Sequence, residues 1–421
     1  MSSVDLIQYF ENQRDNTLQL CLSCGICFQN CSMYNDTETQ ESPQSIQNHI
    51  LSFLQNPAEN SIAYASAFSC LHCFKCIKDS CPVGLVPMYN NILIKWEFRR
   101  KGIHIKPYGN PQADHSAQRI LSSIQLTESE YKTIFHKSNK KQAKLAFFPG
   151  CNVYFQPEKI LSACDILDLL NIDYMYIPGL DFCCGNTHLF YGDVEAAQCA
   201  INQLLDELIS NQIDTLILWC PTCLCEFTTI IAQLTDMPFS VISFAQFVAN
   251  HMENLPIKHA INKTVTLHEP CKLAFTGFDV LGSRTILSQI PGIELIEMEH
   301  SAKNTMCCGL GAQLFSHKLA ESIRSRRFQE ADDTHADILV DVCHACHDFF
   351  VEDEANLNFK IMNYVSIIAK ALGIEREDKY KKYIQLNNLQ AILNEANTAI
   401  EISPYKIETI ISAIEENIVN R

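Results

Sequence analysis

Two pairs of adjacent cysteines, Cys183 with Cys184 in "DFCCGNTHLF" and Cys307 with Cys308 in "NTMCCGLGAQ", are each followed by a glycine. A disulfide between neighbours in the chain would close a ring badly strained against disulfide geometry, so each thiol is read as a separate ligand. Each pair belongs to a group of five: Cys151, Cys183, Cys184, Cys220 and Cys223, then Cys271, Cys307, Cys308, Cys343 and Cys346. Zinc takes four ligands and so does a cubane cluster. Five thiols that include an adjacent pair suit something larger, in which neighbouring thiolates serve different irons. The glycine lets the backbone turn tightly and aim amide hydrogens at inorganic sulfur.

Eight more cysteines form two runs near the N-terminus: "CLSCGICFQNC" (Cys21, Cys24, Cys27, Cys31) and "CLHCFKCIKDSCP" (Cys70, Cys73, Cys76, Cys81). Three cysteines at successive two-residue gaps wrap one compact cluster, as in bacterial-type ferredoxins, where the fourth cysteine of each run ligates the other run's cluster. That pattern assigns Cys21, Cys24, Cys27 and Cys81 to one 4Fe-4S cubane, and Cys70, Cys73, Cys76 and Cys31 to a second. Structural zinc uses two separated C-x-x-C knuckles and does not call for a third cysteine. Ser32 stands where the first run would usually have proline, and four residues precede Cys81. Neither departure removes a ligand.

The bulk of the chain agrees with a cysteine-centred function. A length of 421 residues predicts two or three domains, and 47% hydrophobic residues supply their cores. A formal charge of -16 argues against nucleic acid or an anionic membrane as the main partner. No run of about 18 apolar residues appears, and "MSSVDLIQYFENQRD" is no signal peptide, so a cytoplasmic protein is expected. In reducing cytosol, 21 cysteines point to metal or redox chemistry. The three outside the groups, Cys164, Cys199 and Cys225, read as small buried hydrophobes.

An internal repeat must position the ligands. "KLAFFPGC" and "TVTLHEPC", the two CCG pairs, and "TLILWCPTC" and "DILVDVCHAC" recur at offsets of 120, 124 and 123 residues. Each copy runs from an apolar strand to its first cysteine, through an amphipathic helix ("PEKILSACDILDLL") and a second strand ("DYMYIPG", "IELIEME") to the pair. A helix capped by Asp193 or Ser316 follows, and a third strand delivers C-x-x-C. Alternating strands and helices imply parallel α/β units whose carboxyl strand ends form the binding crevice. The fold class is α+β multidomain: a small helical ferredoxin module over 1–101, a linker over 102–142, α/β units over 143–255 and 256–372, and a helical tail over 373–421. Within the first module, "ESPQSIQNHILSFLQNP" reads as a helix capped by Ser42, and "VPMYNNILIKWEFRRKG" as another.

At these residues the chain resembles the cysteine-rich CCG domain of heterodisulfide reductases and related electron-transfer subunits. A ferredoxin module fused to two such repeats resembles the iron–sulfur subunit of that family known by the letter D, over roughly residues 15–372. The resemblance implies that each five-cysteine set binds a non-cubane 4Fe-4S cluster, giving two cubane and two non-cubane clusters. It also implies reduction, or formation, of a disulfide between the two sites, each site capturing one sulfur. His268 is the preferred proton donor, with Lys272 and His188 also beside cluster cysteines, while His344 and His347 would tune cluster potential. Two departures stand out: "HEPC" replaces "FPGC" in copy two, and Cys225 has no counterpart there. The alternative is a non-catalytic electron-transfer subunit of a flavin dehydrogenase of the lactate, glycolate or succinate/fumarate type, exchanging electrons with quinone. "CGLGAQ" is only a fragment of a glycine-rich loop, so any flavin sits on a partner. Expected partners are a flavoprotein or a membrane cytochrome or quinone-linked subunit, which would hold the protein at the inner face of the membrane, and a small disulfide substrate. The tail beyond Glu375 is the expected docking element.

Overall fold

The computed structural model describes residues 4–35, 41–77, 81–103, 110–136 and 143–421. The N-terminal module is built on the helices Leu6–Leu20, Pro43–Gln55, Ser61–Phe68 and Pro87–Arg100. Ser42 starts the second by accepting from the Ser45 amide, with Pro43 in the first turn where its missing N–H costs nothing. Phe10, Phe53, Ile92 and Trp96 are buried between these helices. The spacer at 78–80, just before Cys81, lies outside the described residues.

Each repeat forms a four-stranded parallel sheet. In copy one the strands are β1 (Leu145–Phe148), β2 (Tyr174–Tyr176), β3 (Thr215–Leu218) and β4 (Ser240–Ser243), in the order β2-β1-β3-β4. In copy two they are β5 (Lys263–His268), β6 (Ile293–Leu295), β7 (Ile338–Asp341) and β8 (Lys360–Asn363), ordered β6-β5-β7-β8. Leu145 pairs with Thr215, and Val265 with Ile338, so equivalent strands are central in both. Winding reverses between the two central strands, which opens a crevice at their carboxyl ends. Cys151 and Cys220 flank that crevice in copy one, and Cys271 and Cys343 in copy two. The caps read from sequence are present: Asp193 accepts from the Ala196 amide and Ser316 from the Leu319 amide.

One segment differs from the sequence reading. The 102–142 stretch, taken as a linker, carries the helices Ala117–Ser123 and Glu128–Phe135, the second opened by a capping box at Thr127; residues 104–109 and 137–142 lie outside the described residues. The tail, read as an element outside the repeats, packs against the chain itself while Leu386, Ile402 and Ile407 stay exposed. Tyr380 and Tyr383 are buried, the Tyr383 hydroxyl donates to the Ile124 carbonyl at 2.9 Å, and Ser403 bonds Ser123 at 2.7 Å. No helix among the described residues is long and apolar enough to cross a membrane.

Candidate metal centres

The two N-terminal runs interlock. Cys27 lies beside Cys21, Cys24 and Cys81, whereas Cys76 lies beside Cys70, Cys73 and Cys31. The fourth cysteine of each run is thus placed with the other run's first three. The second set borders a cavity of about 390 Å³. The ligand loops bend tightly, with left-handed backbone at Ser23 in the first run and at His72 and Phe74 in the second (φ 52°, 51° and 67°), uncommon for residues with a Cβ. Amide donors already reach sulfur: Leu85 N–H to Cys81 Sγ at 3.3 Å, and Gln47 Nε2 to Cys21 Sγ at 3.4 Å. Burial pushes the Cys27 thiol up to about 12 and the Cys76 thiol well above its ordinary range. Thiols held that way become thiolates when a metal compensates their charge.

The ten remaining cysteines converge as two fives. In copy one, Cys183 contacts Cys184, Cys184 contacts Cys223, Cys223 contacts Cys220, and Cys151 lies beside Cys184 and Cys220. In copy two the contacts run Cys271, Cys307, Cys308, Cys346 and Cys343. The glycine after each pair behaves alike: Gly185 N–H points at Cys183 Sγ (3.3 Å, φ +86°) and Gly309 N–H at Cys307 Sγ (3.4 Å, φ +98°). A Cβ on Gly309 would fall 2.6 Å from the Ala320 carbonyl oxygen, so no side chain fits.

Around these sets sit buried nitrogens with no partner among the described residues: His72 Nδ1, Trp219 Nε1, His268 Nε2 and His344 Nδ1. Buried polar groups are almost always paired. Four orphans beside the cysteine sets therefore mark places where an acceptor belongs, and the sulfurs of an iron–sulfur cluster are such acceptors. The donor sets fit clusters on that observation.

The histidines occupy different places from those their spacing suggested. His268, the preferred proton donor, is fully buried; Arg327 Nε donates to its Nδ1 at 3.0 Å, and its ring approaches Cys308 and Cys346 within 4.8 Å. It stands behind the sulfurs, away from solvent. His347 bonds Asp341 (2.6 Å) and Asp378 (2.8 Å), so its two nitrogens face carboxylates and not cysteines. His344 lies between the repeats, hydrogen-bonded to Cys220 and beside Cys343. Burial opposes its charge, but the two thiols outweigh this and raise it to about 9. His188 is half-buried at the end of Asn186–Phe190, and burial lowers it.

Lys272 follows Cys271 of copy two but lies near Cys184 of copy one, with Nζ 3.5 Å from Glu226. Glu226 escaped the sequence reading. It is 1% exposed, accepts from Asn186 Nδ2 at 2.6 Å, and burial raises its carboxyl to about 7. The available signal was an acid directly after "CPTCLC", on a helix otherwise apolar. Of the three cysteines outside the groups, Cys164 and Cys225 are buried, but Cys199 is exposed on the outer face of Val194–Ser210, a correction to the expectation of burial.

The four sets form a series. Cys73 lies next to Cys307 and Cys271, so the second N-terminal set abuts copy two; Cys343 and Cys220 then meet across His344. Comparison with known families agrees with this division. A 4Fe-4S dicluster domain matches residues 20–86, and the cysteine-rich CCG domain matches residues 145–228 and 265–350. The chain is thus an iron–sulfur protein in which a dicluster domain precedes two CCG domains. It is similar to the D component of the dihydromethanophenazine:CoB–CoM heterodisulfide reductase of Methanosarcina acetivorans, 26% identical over 56% of this chain and 61% of that one. It is also similar to the B component of the CoM/CoB fumarate reductase of Methanothermobacter marburgensis (23%, covering 85% and 73%) and to the EtfAB:quinone oxidoreductase of Syntrophomonas wolfei (18%, covering 84% and 58%). The match spans about three fifths of the length of the heterodisulfide reductase relatives. These relatives are redox proteins, which places the chain among iron–sulfur oxidoreductase subunits.

Proposed function

We propose that the protein reduces, or forms, a disulfide between two non-cubane clusters, one held by each CCG domain, with two cubanes in the N-terminal module connecting it to a partner. The observation that carries this reading is the meeting of two complete five-cysteine sets across His344, since a disulfide has two sulfurs to bind. Bound clusters would supply one-electron steps and sites for sulfur. The chain's own residues position and compensate: Lys272 brings a positive charge from copy two to Cys184, and Glu226 holds Lys272 and Asn186 in place. His268 and His188 border the sulfurs of copies two and one. A surface depression of about 340 Å³, lined by Ile77, Thr229, Phe275, Phe278 and Lys303, borders the helix that carries Lys272 and is the proposed approach for substrate. The donor or acceptor would be a flavoprotein or a membrane cytochrome or quinone-linked subunit. Turnover of the purified complex with a panel of disulfides tests the reading; clusters that are reduced by the partner but reoxidised by none of the disulfides defeat it.

A second reading is electron transfer without disulfide chemistry, as a subunit of a flavin dehydrogenase working with quinone. The series of four adjoining sets favours it, because such a line needs no substrate to conduct. The same assay with quinones in place of disulfides separates the two.

A further inference from the structure

Lys95 is buried at 1% exposure in the middle of the helix Pro87–Arg100, and among the described residues no carboxylate lies within ion-pairing distance of it. Its Nζ donates to the Phe190 carbonyl at 2.9 Å and to His72 Nε2 at 3.3 Å, and it sits 4.4 Å from the centre of the Phe190 ring. An ammonium taken out of water with only neutral partners costs several kcal/mol. An aromatic face returns roughly 2 kcal/mol of that at best. The one oppositely charged neighbour in prospect is Cys70.

His72 extends the arrangement into the cysteine loop. A lysine only donates, so His72 Nε2 is the acceptor and Nδ1 carries the proton. That Nδ1 has no partner, although the residue is 1% exposed and stands between Cys70 and Cys73. Burial, with Lys95 and Lys272 nearby, keeps the ring neutral. Burial lowers the Lys95 ammonium to about 8, so at neutral pH the result is a charge followed by an oriented N–H, both lacking a counterpart, on the side of the second cysteine set.

We propose that Lys95 is a positioning residue that sets the reduction potential of the cluster held by Cys70, Cys73, Cys76 and Cys31, its charge favouring the reduced cluster and its hydrogen bond holding His72 as a donor to that cluster's sulfur. The proposal rests on the dicluster domain binding its clusters. A positive charge near a cluster raises its potential, and so does a hydrogen bond to its sulfurs. The helix bearing Lys95 is clamped to copy one through Trp96 Nε1 to Glu195 (3.0 Å), through Arg99 to Asp193 and through Phe190 itself. The charge therefore cannot swing away to water.

The test is a spectroscopically monitored redox titration of the whole, cluster-loaded chain, with this cubane assigned as the one that survives Cys24→Ser. Lys95→Met should reduce the reduced-to-oxidised ratio of that cubane at fixed potential at least tenfold, a fall of about 59 mV for one electron, and leave the other cubane in place. Lys95→Arg should restore most of it. If Lys95→Met fails to hold the cluster, Lys95→Gln takes its place, because it keeps a donor for the Phe190 carbonyl without the charge. An unchanged potential in a loaded Met or Gln variant overturns the proposal, and so does failure of Arg to rescue. Wild-type protein that holds no cubanes would instead defeat the reading on which the proposal rests.

Discussion

Copy one and copy two share strand order, central pairing and ligand count, yet they line their cysteines with opposite chemistries. Where copy two has His268, Asp341, His344 and His347, the equivalent positions of copy one are Phe148, Leu218, Pro221 and Leu224. Phe148 and Leu218 are fully buried strand ends, the default for a parallel sheet covered on both faces. Copy two keeps buried polar groups there and satisfies most of them: Arg327 bonds His268, Asn363 bonds Asp341 at 2.7 Å, and Asp341 bonds His347. The fold itself does not need these groups, as copy one demonstrates. What they add beside the set nearest the dicluster module is the N–H of His268 Nε2 among Cys308 and Cys346, since His347 faces carboxylates and His344 reaches Cys220 of copy one. Donors raise cluster potential, so copy two is expected to be reduced first.

The largest effects should come from removing a ligand on either side. Cys184→Ala and Cys308→Ala should each lower disulfide turnover by more than ~100-fold, beyond the loss typical of outer-sphere changes, while the N-terminal cubanes stay reducible. Iron analysis, expected near about sixteen per wild-type chain from the ligand count, and sedimentation establish that such variants are folded. A folded Cys308→Ala protein with near-normal disulfide turnover would make copy two a bystander and favour the electron-transfer reading.

Exchanging the linings tests the comparison itself. His268→Phe gives copy two the residue of copy one, and should cost about 10–100-fold in cluster occupancy or activity and lower that cluster's potential. Phe148→His, the reverse swap, should do less, because copy one has no arginine counterpart prepared to orient the ring. Equal effects from the two swaps would show that the difference between copies is incidental.

A smaller effect is expected where both copies lean on the tail. Lys159, fully buried in copy one, pairs with Glu158 and, at 2.9 Å, with Asp378, which also bonds His347 of copy two. Asp378→Ala should destabilise the protein by ~2 kcal/mol in urea unfolding, as expected for breaking a buried charge network in which Lys159 keeps Glu158 and His347 keeps Asp341. Despite its burial, Lys159 and His347 hold the Asp378 carboxyl far below the usual carboxylate range. Its contribution is therefore complete above about pH 4 and declines as the pH falls further; the wild-type and Asp378→Ala stabilities should converge there. Smallest of all, Cys199→Ser on the outer face of its helix should change stability by less than ~0.5 kcal/mol and leave iron content untouched.

Cysteine spacing, the repeat and the helix caps were legible because each is a local pattern: a C-x-x-C loop or a Ser42–Pro43 start specifies its own geometry. The edge strands β4 and β8 were not, since "SVIS" and "KIMN" are short and half polar and become strands only by pairing with β3 and β7. The helices in 102–142 lack a clear period for a similar reason: Ile120, Leu121 and Ile124 are covered by a tail nearly three hundred residues away in sequence. His347 misled because sequence places it beside Cys346, whereas on its helix it turns toward Asp341. Glu226 acquires meaning only from Lys272, which belongs to the other repeat.

The crossing of Cys31 and Cys81 between the two N-terminal sets bears on how the protein is made. The first set lacks its fourth thiol until the chain has been synthesised through Cys81, the second until Cys76, and the helices Pro43–Gln55 and Ser61–Phe68 must bring the runs together. During synthesis Cys27 emerges 54 residues ahead of the first set's last ligand, Cys81, and until then that set offers three thiols and a vacancy open to oxygen or to the wrong metal. Loading of either cubane should consequently wait for the second run, and a ribosome stalled between the runs would release a nascent chain that holds neither.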